Sequence, residues 1–75
     1  MQPANVKVAE YVRRRRKENR LNQARLALLA GVGRRFISEL ERGQKSGLRL
    51  DKVEAVLGVF GKRLGIVDAE AETDG

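Results

Sequence analysis

Two adjacent arginines, Arg34 and Arg35, are the residues of this 75-residue chain whose chemistry is most specific. A guanidinium group donates hydrogen bonds in a planar fork, which suits a bidentate contact with a guanine edge or with a phosphate. Glu39 follows one helical turn later, and its carboxylate is suited to accept from a cytosine amino group. These side chains indicate contact with nucleic acid, provided that the fold presents them on one exposed surface.

Residues 22–43 contain the two predicted helices that hold these side chains. Asn22 is suited to cap the first helix, and Gly31 and Gly43 supply the positive φ that ends each helix. Two short helices joined by a glycine turn are typical of a helix-turn-helix, in which the second helix enters the major groove of DNA. At helical spacing, the predicted inward faces consist of Leu26, Ala27, Ala30, Ile37, Leu40 and Glu41.

This segment resembles the helix-turn-helix of the lambdoid phage repressors and their bacterial relatives, the Cro/xenobiotic-response-element family. The shared pattern is Gln-x-x-Leu-Ala-x-x-x-Gly-Val-x-x-x-x-Ile-Ser-x-Leu-Glu-x-Gly. It is met here by Gln23, Leu26, Ala27, Gly31, Val32, Ile37, Ser38, Leu40, Glu41 and Gly43. The resemblance implies an all-α, four-helix, phage-repressor-like domain over residues 1–61 that binds double-stranded DNA.

The resemblance also implies which residues contact DNA. The base-reading positions, at the leading end of the second helix, map to Gly33, Arg34, Arg35, Ser38 and Glu39. Phosphate contacts are expected from Asn22, Gln23, Arg42 and Lys45. One of the two leading arginines is expected to contact only phosphate.

A first helix is predicted from about residue 5 to residue 19, with Val8 and Val12 on its apolar face. That face continues into Arg16, and an inward guanidinium is tolerated only beside a carboxylate. The family places an Arg at the Arg16 position against a Glu at the Glu41 position. We therefore expect Arg16 and Glu41 to form a structural pair that favours specific packing over net stability.

The basic run of residues 13–17 suggests a nucleic-acid or membrane patch, but consecutive helical residues point about 100° apart. A solvated helix face is therefore the preferred interpretation. Next to this run, Arg20 stands where the family commonly has a glycine, which leaves the end of the first helix uncertain. A fourth helix is predicted to begin near Asp51 and to stop at Gly61.

Residues 62–68 read as a β-strand, because Ile66 and Val67 are β-branched and Leu64 and Ile66 share a face at period two. A lone strand leaves its hydrogen-bonding edge open. The same strand of a second copy, antiparallel across a two-fold axis, would cover that edge and produce a homodimer. The alternative is an extended tail laid over the fourth helix.

Charge is unevenly distributed along the chain. Residues 1–63 hold all 16 Lys and Arg against six acidic residues, a net charge of +10, whereas residues 64–75 carry −4. The basic body favours a polyanionic partner. The acidic tail, residues 69–75, is expected to be disordered, and binding of this tail to a basic partner is the alternative to DNA binding.

Composition argues against several functional classes. Cys and His are absent, which excludes disulfides and the usual zinc sites, and no cofactor is expected. No nucleophile–base pair, phosphate loop or paired-acid cleft is apparent, so catalysis and a small-molecule substrate are not expected. The chain has no membrane span or secretory signal, which predicts a cytoplasmic protein, nucleoid-associated through DNA, without a membrane partner.

The order of four helices, then Gly-Lys-Arg-Leu-Gly-Ile-Val, then an acidic tail is similar to the HipB-type antitoxins. This narrower resemblance implies a homodimer that binds a palindromic operator of its own operon and neutralises a HipA-like serine/threonine kinase toxin. Dimer geometry predicts half-sites about one helical turn apart, roughly 34 to 36 Å. A free-standing phage-type repressor or restriction controller is the alternative.

Overall fold

The structure, a computed structural model, describes residues 4–44 and 47–66. These residues form four helices and, within the described ranges, no strand: α1 (Ala4–Glu18), α2 (Gln23–Ala30), α3 (Arg34–Arg42) and α4 (Leu50–Val59). The predicted all-α, four-helix fold is confirmed for this part of the chain.

The predicted helix ends around α2 and α3 are observed. The side-chain oxygen of Asn22 accepts a hydrogen bond of 2.7 Å from the backbone N–H of Arg25, which caps α2. Gly31 and Gly43 have φ of 73° and 70°, the left-handed conformation that ends a helix at little steric cost. The glycine turn therefore sets the angle at which α3 leaves α2.

α1 ends on a non-glycine residue in the left-handed conformation. Arg20 has φ of 57° and its N–H donates to the Lys17 carbonyl at 3.0 Å, while Leu21 N–H donates to the Arg16 carbonyl at 3.0 Å. This is the Schellman pattern, which most often uses glycine at the Arg20 position. This pattern explains why the family commonly has glycine at the Arg20 position. Here α1 ends in the same way with arginine at that position.

α4 begins and ends close to the predicted residues. Asp51 lies in its first turn, where a carboxylate favours the positive end of the helix dipole. Both oxygens of Asp51 accept from the Arg49 guanidinium, at 3.1 and 2.7 Å. Gly61, with φ of 71°, follows the last turn as expected.

One apolar core joins the four helices. α3 packs on α1 and α2, and α2 also packs on α4. Because the inward stripe of α3 is anchored in this core, the opposite side of α3 faces outward. The buried cluster consists of Val12, Leu26, Ala27, Ile37, Leu40, Val53, Val56, Leu57 and Phe60.

The described part of the predicted dimerising strand, residues 62–66, is not a strand in the single chain. Residues 62–66 form neither helix nor strand, and the Leu64 N–H donates to the Glu54 carboxylate of α4 at 3.0 Å. This contact matches the alternative of a tail laid against α4, since a strand requires a second edge that one chain does not provide. Val67 and the acidic tail lie outside the described residues, so the intersubunit strand remains a prediction.

Candidate nucleic-acid interface

The outer surface at the start of α3 presents the two leading arginines. Arg34 is exposed, and the side chain of Arg35 is 91% exposed. Their exposure follows from the period of the helix, because Ile37 and Leu40 occupy the buried side. The N-cap Gly33 has an extended backbone and makes no side-chain cap hydrogen bond.

Arg35 and Glu39 lie one turn apart and form an ion pair, with Arg35 Nε 3.6 Å from Glu39 Oε2. The Arg35 side of this pair is open to solvent, so the pair contributes little stability and the guanidinium can take another partner. Among the described residues, Arg34 has no hydrogen-bonding or ion-pairing partner. Both guanidinium groups are therefore accessible to a ligand from solvent.

Beside these arginines, the junction of α1, the start of α2 and the end of α3 forms an open concavity of about 400 Å³. We call it the α1–α3 groove. It brings together three of the predicted DNA-contacting residues, Gln23, Ser38 and Arg42, with the Arg16 and Glu41 pair. It is lined by Arg13, Arg16, Gln23, Ser38, Glu41, Arg42 and Gln44.

Glu41 is the centre of the hydrogen bonds beneath this groove. The Glu41 side chain is 5% exposed, and its carboxylate accepts from Arg16 Nε at 2.6 Å and from Arg16 Nη2 at 3.0 Å. Arg16 Nη1 also donates to the Leu21 carbonyl at 2.9 Å. Hydrogen bonding to Glu41 raises the pKa of Arg16, so the guanidinium stays charged. The structure thus brings the predicted pair together across α1 and α3.

Two residues predicted to contact phosphate have a second role at the start of α2. Gln23 Nε2 donates to Glu41 Oε1 at 3.1 Å, and Asn22 accepts the N-cap hydrogen bond. A side-chain amide has two N–H donors, so within the described residues each keeps a donor for a phosphate. Arg42 is exposed at the end of α3, and Lys45 lies outside the described residues.

Arg13, like Gln44, lines the groove but was not among the residues predicted to contact DNA. Its Nη1 donates to the backbone carbonyl of Glu41 at 2.7 Å. Arg13 precedes Arg16 by three residues, which places both on one side of α1. The three-residue spacing from Arg16 could have indicated that Arg13 lies on the same side of α1. The run of five consecutive basic residues made this spacing hard to distinguish in the sequence.

The remaining basic residues of α1 point elsewhere, as expected for consecutive helical positions. The Arg15 guanidinium stacks over the Phe60 ring at 5.5 Å and the Tyr11 ring at 6.0 Å. Arg14 is exposed, with its Nε 3.9 Å from a Glu18 carboxylate oxygen. The run of residues 13–17 is therefore divided among separate surfaces, and it does not form one basic patch.

The helix-turn-helix family matches residues 12–67, about three quarters of the chain. No curated protein matches the sequence. None of the helices in the described ranges has the length and apolar composition needed to cross a membrane. The matched region contains α2, the glycine turn, α3 and α4. The chain therefore belongs to the Cro/C1-type helix-turn-helix family of DNA-binding transcription regulators.

Proposed function

We propose that this regulator recognises a specific DNA sequence with α3 in the major groove. The observation that carries the proposal is the pair of exposed arginines at the leading end of α3, a helix whose other side is fixed in the core. Arg34 and Arg35 supply the forks that match guanine O6 and N7. One of them reads a base, and the other binds the adjacent phosphate.

Ser38 and Glu39 extend this reading surface along α3. Both are half-buried, so they contact DNA only where the helix lies deep in the groove. Glu39 accepts from a cytosine amino group when Arg35 exchanges the ion pair for a guanine edge. Gly33 adds no side chain at the approach to the bases.

Phosphate contacts on either side of α3 fix the orientation of the helix on the duplex. We assign them to Asn22, Gln23, Arg42 and Lys45, with the N-terminal amides of α2 contributing to binding at its start. The net charge of +10 on residues 1–63 supports this assignment, because it attracts the DNA backbone from any sequence.

Selection from a pool of randomised duplexes tests sequence-specific binding. We expect the wild-type chain to enrich one motif that contains guanine at a contacted position. Arg14→Ala, which changes an exposed arginine on another surface, should enrich the same motif. Retention of all duplexes equally by the wild-type chain would contradict base reading and leave only electrostatic attachment.

We further propose a homodimer in which residues 62–68 of two copies pair as antiparallel strands. Ile66 is fully exposed in the single chain, and a domain of this size buries little apolar surface by itself. Sedimentation equilibrium should give a dimer for the wild-type chain and a shift to monomer for Ile66→Asp. A wild-type monomer at all concentrations that support DNA binding would exclude the pairing.

More specifically, we propose that the chain is the antitoxin of a HipBA-like operon. In this role it represses its own operon and neutralises a kinase toxin. The support is the order of four helices followed by Gly-Lys-Arg-Leu-Gly-Ile-Val at residues 61–67. Purification of the tagged chain from its native cells, after nuclease treatment, tests it. A stoichiometric kinase-like partner is expected; recovery of the self-associated chain alone would instead favour a free-standing regulator.

A further inference from the structure

We infer that Arg13 of α1 binds a DNA backbone phosphate at the α1–α3 groove, next to Arg42. The inference rests on the proposed DNA binding and adds a contact from a helix outside the helix-turn-helix. The groove already contains Gln23 and Arg42, two residues to which we assign phosphate contacts. Arg13 lines the same concavity, so a phosphate bound there lies within reach of α1 as well.

The balance of charge in the groove favours an anion. The positive charge of Arg16 is compensated by the Glu41 carboxylate at 2.6 Å. Arg13 donates to a neutral carbonyl, and Arg42 is exposed. Within residues 4–44 and 47–66, neither Arg13 nor Arg42 has an ion-pairing carboxylate, while Ser38 and Gln44 add neutral hydrogen-bonding groups around the opening. This combination suits a phosphodiester, which offers only acceptor oxygens.

The hydrogen bond to Glu41 positions Arg13 for this role. The carbonyls at the end of α3 carry the negative end of the helix dipole, which disfavours a nearby phosphate. By donating to the Glu41 carbonyl at 2.7 Å, Arg13 offsets that partial charge and holds its own guanidinium in place. A guanidinium has five N–H donors, so donors other than the one used here are available to a phosphate.

Arg13→Gln tests the charge of this side chain, because the glutamine amide is neutral but keeps N–H donors. The matched control is Arg14→Gln, which removes an equal charge from the neighbouring exposed residue. Arg13→Lys keeps the charge. Affinity for the selected duplex and for an unrelated duplex is measured over a series of salt concentrations, with thermal unfolding to establish that each variant is folded.

We expect Arg13→Gln to reduce the dependence of log affinity on log salt by about 0.9, the amount for one phosphate. Both duplexes should bind about five- to tenfold more weakly at 0.1 M salt, since a phosphate contact carries no base preference. Arg14→Gln and Arg13→Lys should keep the wild-type slope. A folded Arg13→Gln variant with the wild-type slope would overturn the inference.

A second measurement needs no variant and applies if Arg13→Gln does not fold. The Nε–Hε NMR signal of Arg13 in the wild-type chain should shift as duplex is added, and that of Arg14 should not. An unchanged Arg13 signal at saturating duplex overturns the inference while leaving the proposed function intact. Failure of the wild-type chain to bind any duplex would instead overturn the proposed function, and the inference with it.

Discussion

Arg16 and Glu41 meet through two hydrogen bonds, of 2.6 and 3.0 Å, although they lie 25 residues apart in sequence. The pair is nearly buried and connects α1 to the last turn of α3. Burying two charges costs desolvation, which their attraction roughly offsets, so such a pair fixes an arrangement more than it stabilises a fold. Here the arrangement that it fixes is the position of α3 relative to α1.

Removing one member of this pair should be strongly destabilising. Arg16→Met leaves the Glu41 carboxylate buried without its cation, which typically costs about 3 to 5 kcal/mol in the free energy of unfolding. Urea denaturation of the variant and the wild-type chain measures the difference. The control is the double variant Arg16→Met with Glu41→Leu, which should recover most of the loss because no buried charge remains. A double variant as unstable as the single one would contradict this account.

Arg20→Gly should stabilise the fold by about 0.5 to 1 kcal/mol. The left-handed conformation costs a non-glycine residue about 1 to 2 kcal/mol, partly offset by the greater freedom of glycine in the unfolded chain. Gly31→Ala is the matched control, because it places a side chain at φ of 73° and should destabilise by a similar amount. The midpoints of urea unfolding measure both changes in stability. An Arg20→Gly variant less stable than the wild-type chain would show that the left-handed conformation does not strain Arg20.

Gly33→Ser should stabilise α3 by about 0.5 to 1 kcal/mol, since it supplies the missing N-cap and lowers the entropy of the unfolded chain. A Cβ at this position meets no atom within 4 Å, so no clash opposes the gain. Gly33→Asp should stabilise similarly but weaken DNA binding, because its carboxylate faces the phosphates. Thermal unfolding measures the effect on stability, and duplex affinity measures the effect on DNA binding. Unchanged duplex affinity for Gly33→Asp would show that the start of α3 is not part of the DNA interface.

Asp51 should make a small contribution to the pH dependence of stability. Its hydrogen bonds from Arg49 lower the pKa of Asp51 below the ordinary value of 3.8. The folded state therefore favours the ionised carboxylate: the contribution is present above the unfolded-state pKa and is lost as pH falls through the lower folded pKa. Unfolding followed down to about pH 2 should show a shallower decline for Asp51→Asn than for the wild-type chain. Identical declines would show that the carboxylate is not stabilised by folding.

The helix ends that the sequence predicted correctly depend on local chemistry. Asn22 caps α2 and Gly31 ends it because both act through neighbouring backbone groups. Arg13 and the second role of Gln23 depend on contacts with Glu41, 28 and 18 residues away in sequence, which helical periodicity does not specify. The C-terminal segment is a third case, since its pairing as a strand requires another chain.

The most direct test of DNA recognition is the affinity of Arg34→Ala with Arg35→Ala for the selected duplex, measured by fluorescence anisotropy at fixed salt. Two lost contacts of about 1 to 3 kcal/mol each, one to a base and one to a phosphate, predict a loss of about 2 to 6 kcal/mol in binding free energy. The loss should be smaller on an unrelated duplex, because it includes base reading. An affinity equal to that of the wild-type chain would contradict the claim that the leading end of α3 reads DNA.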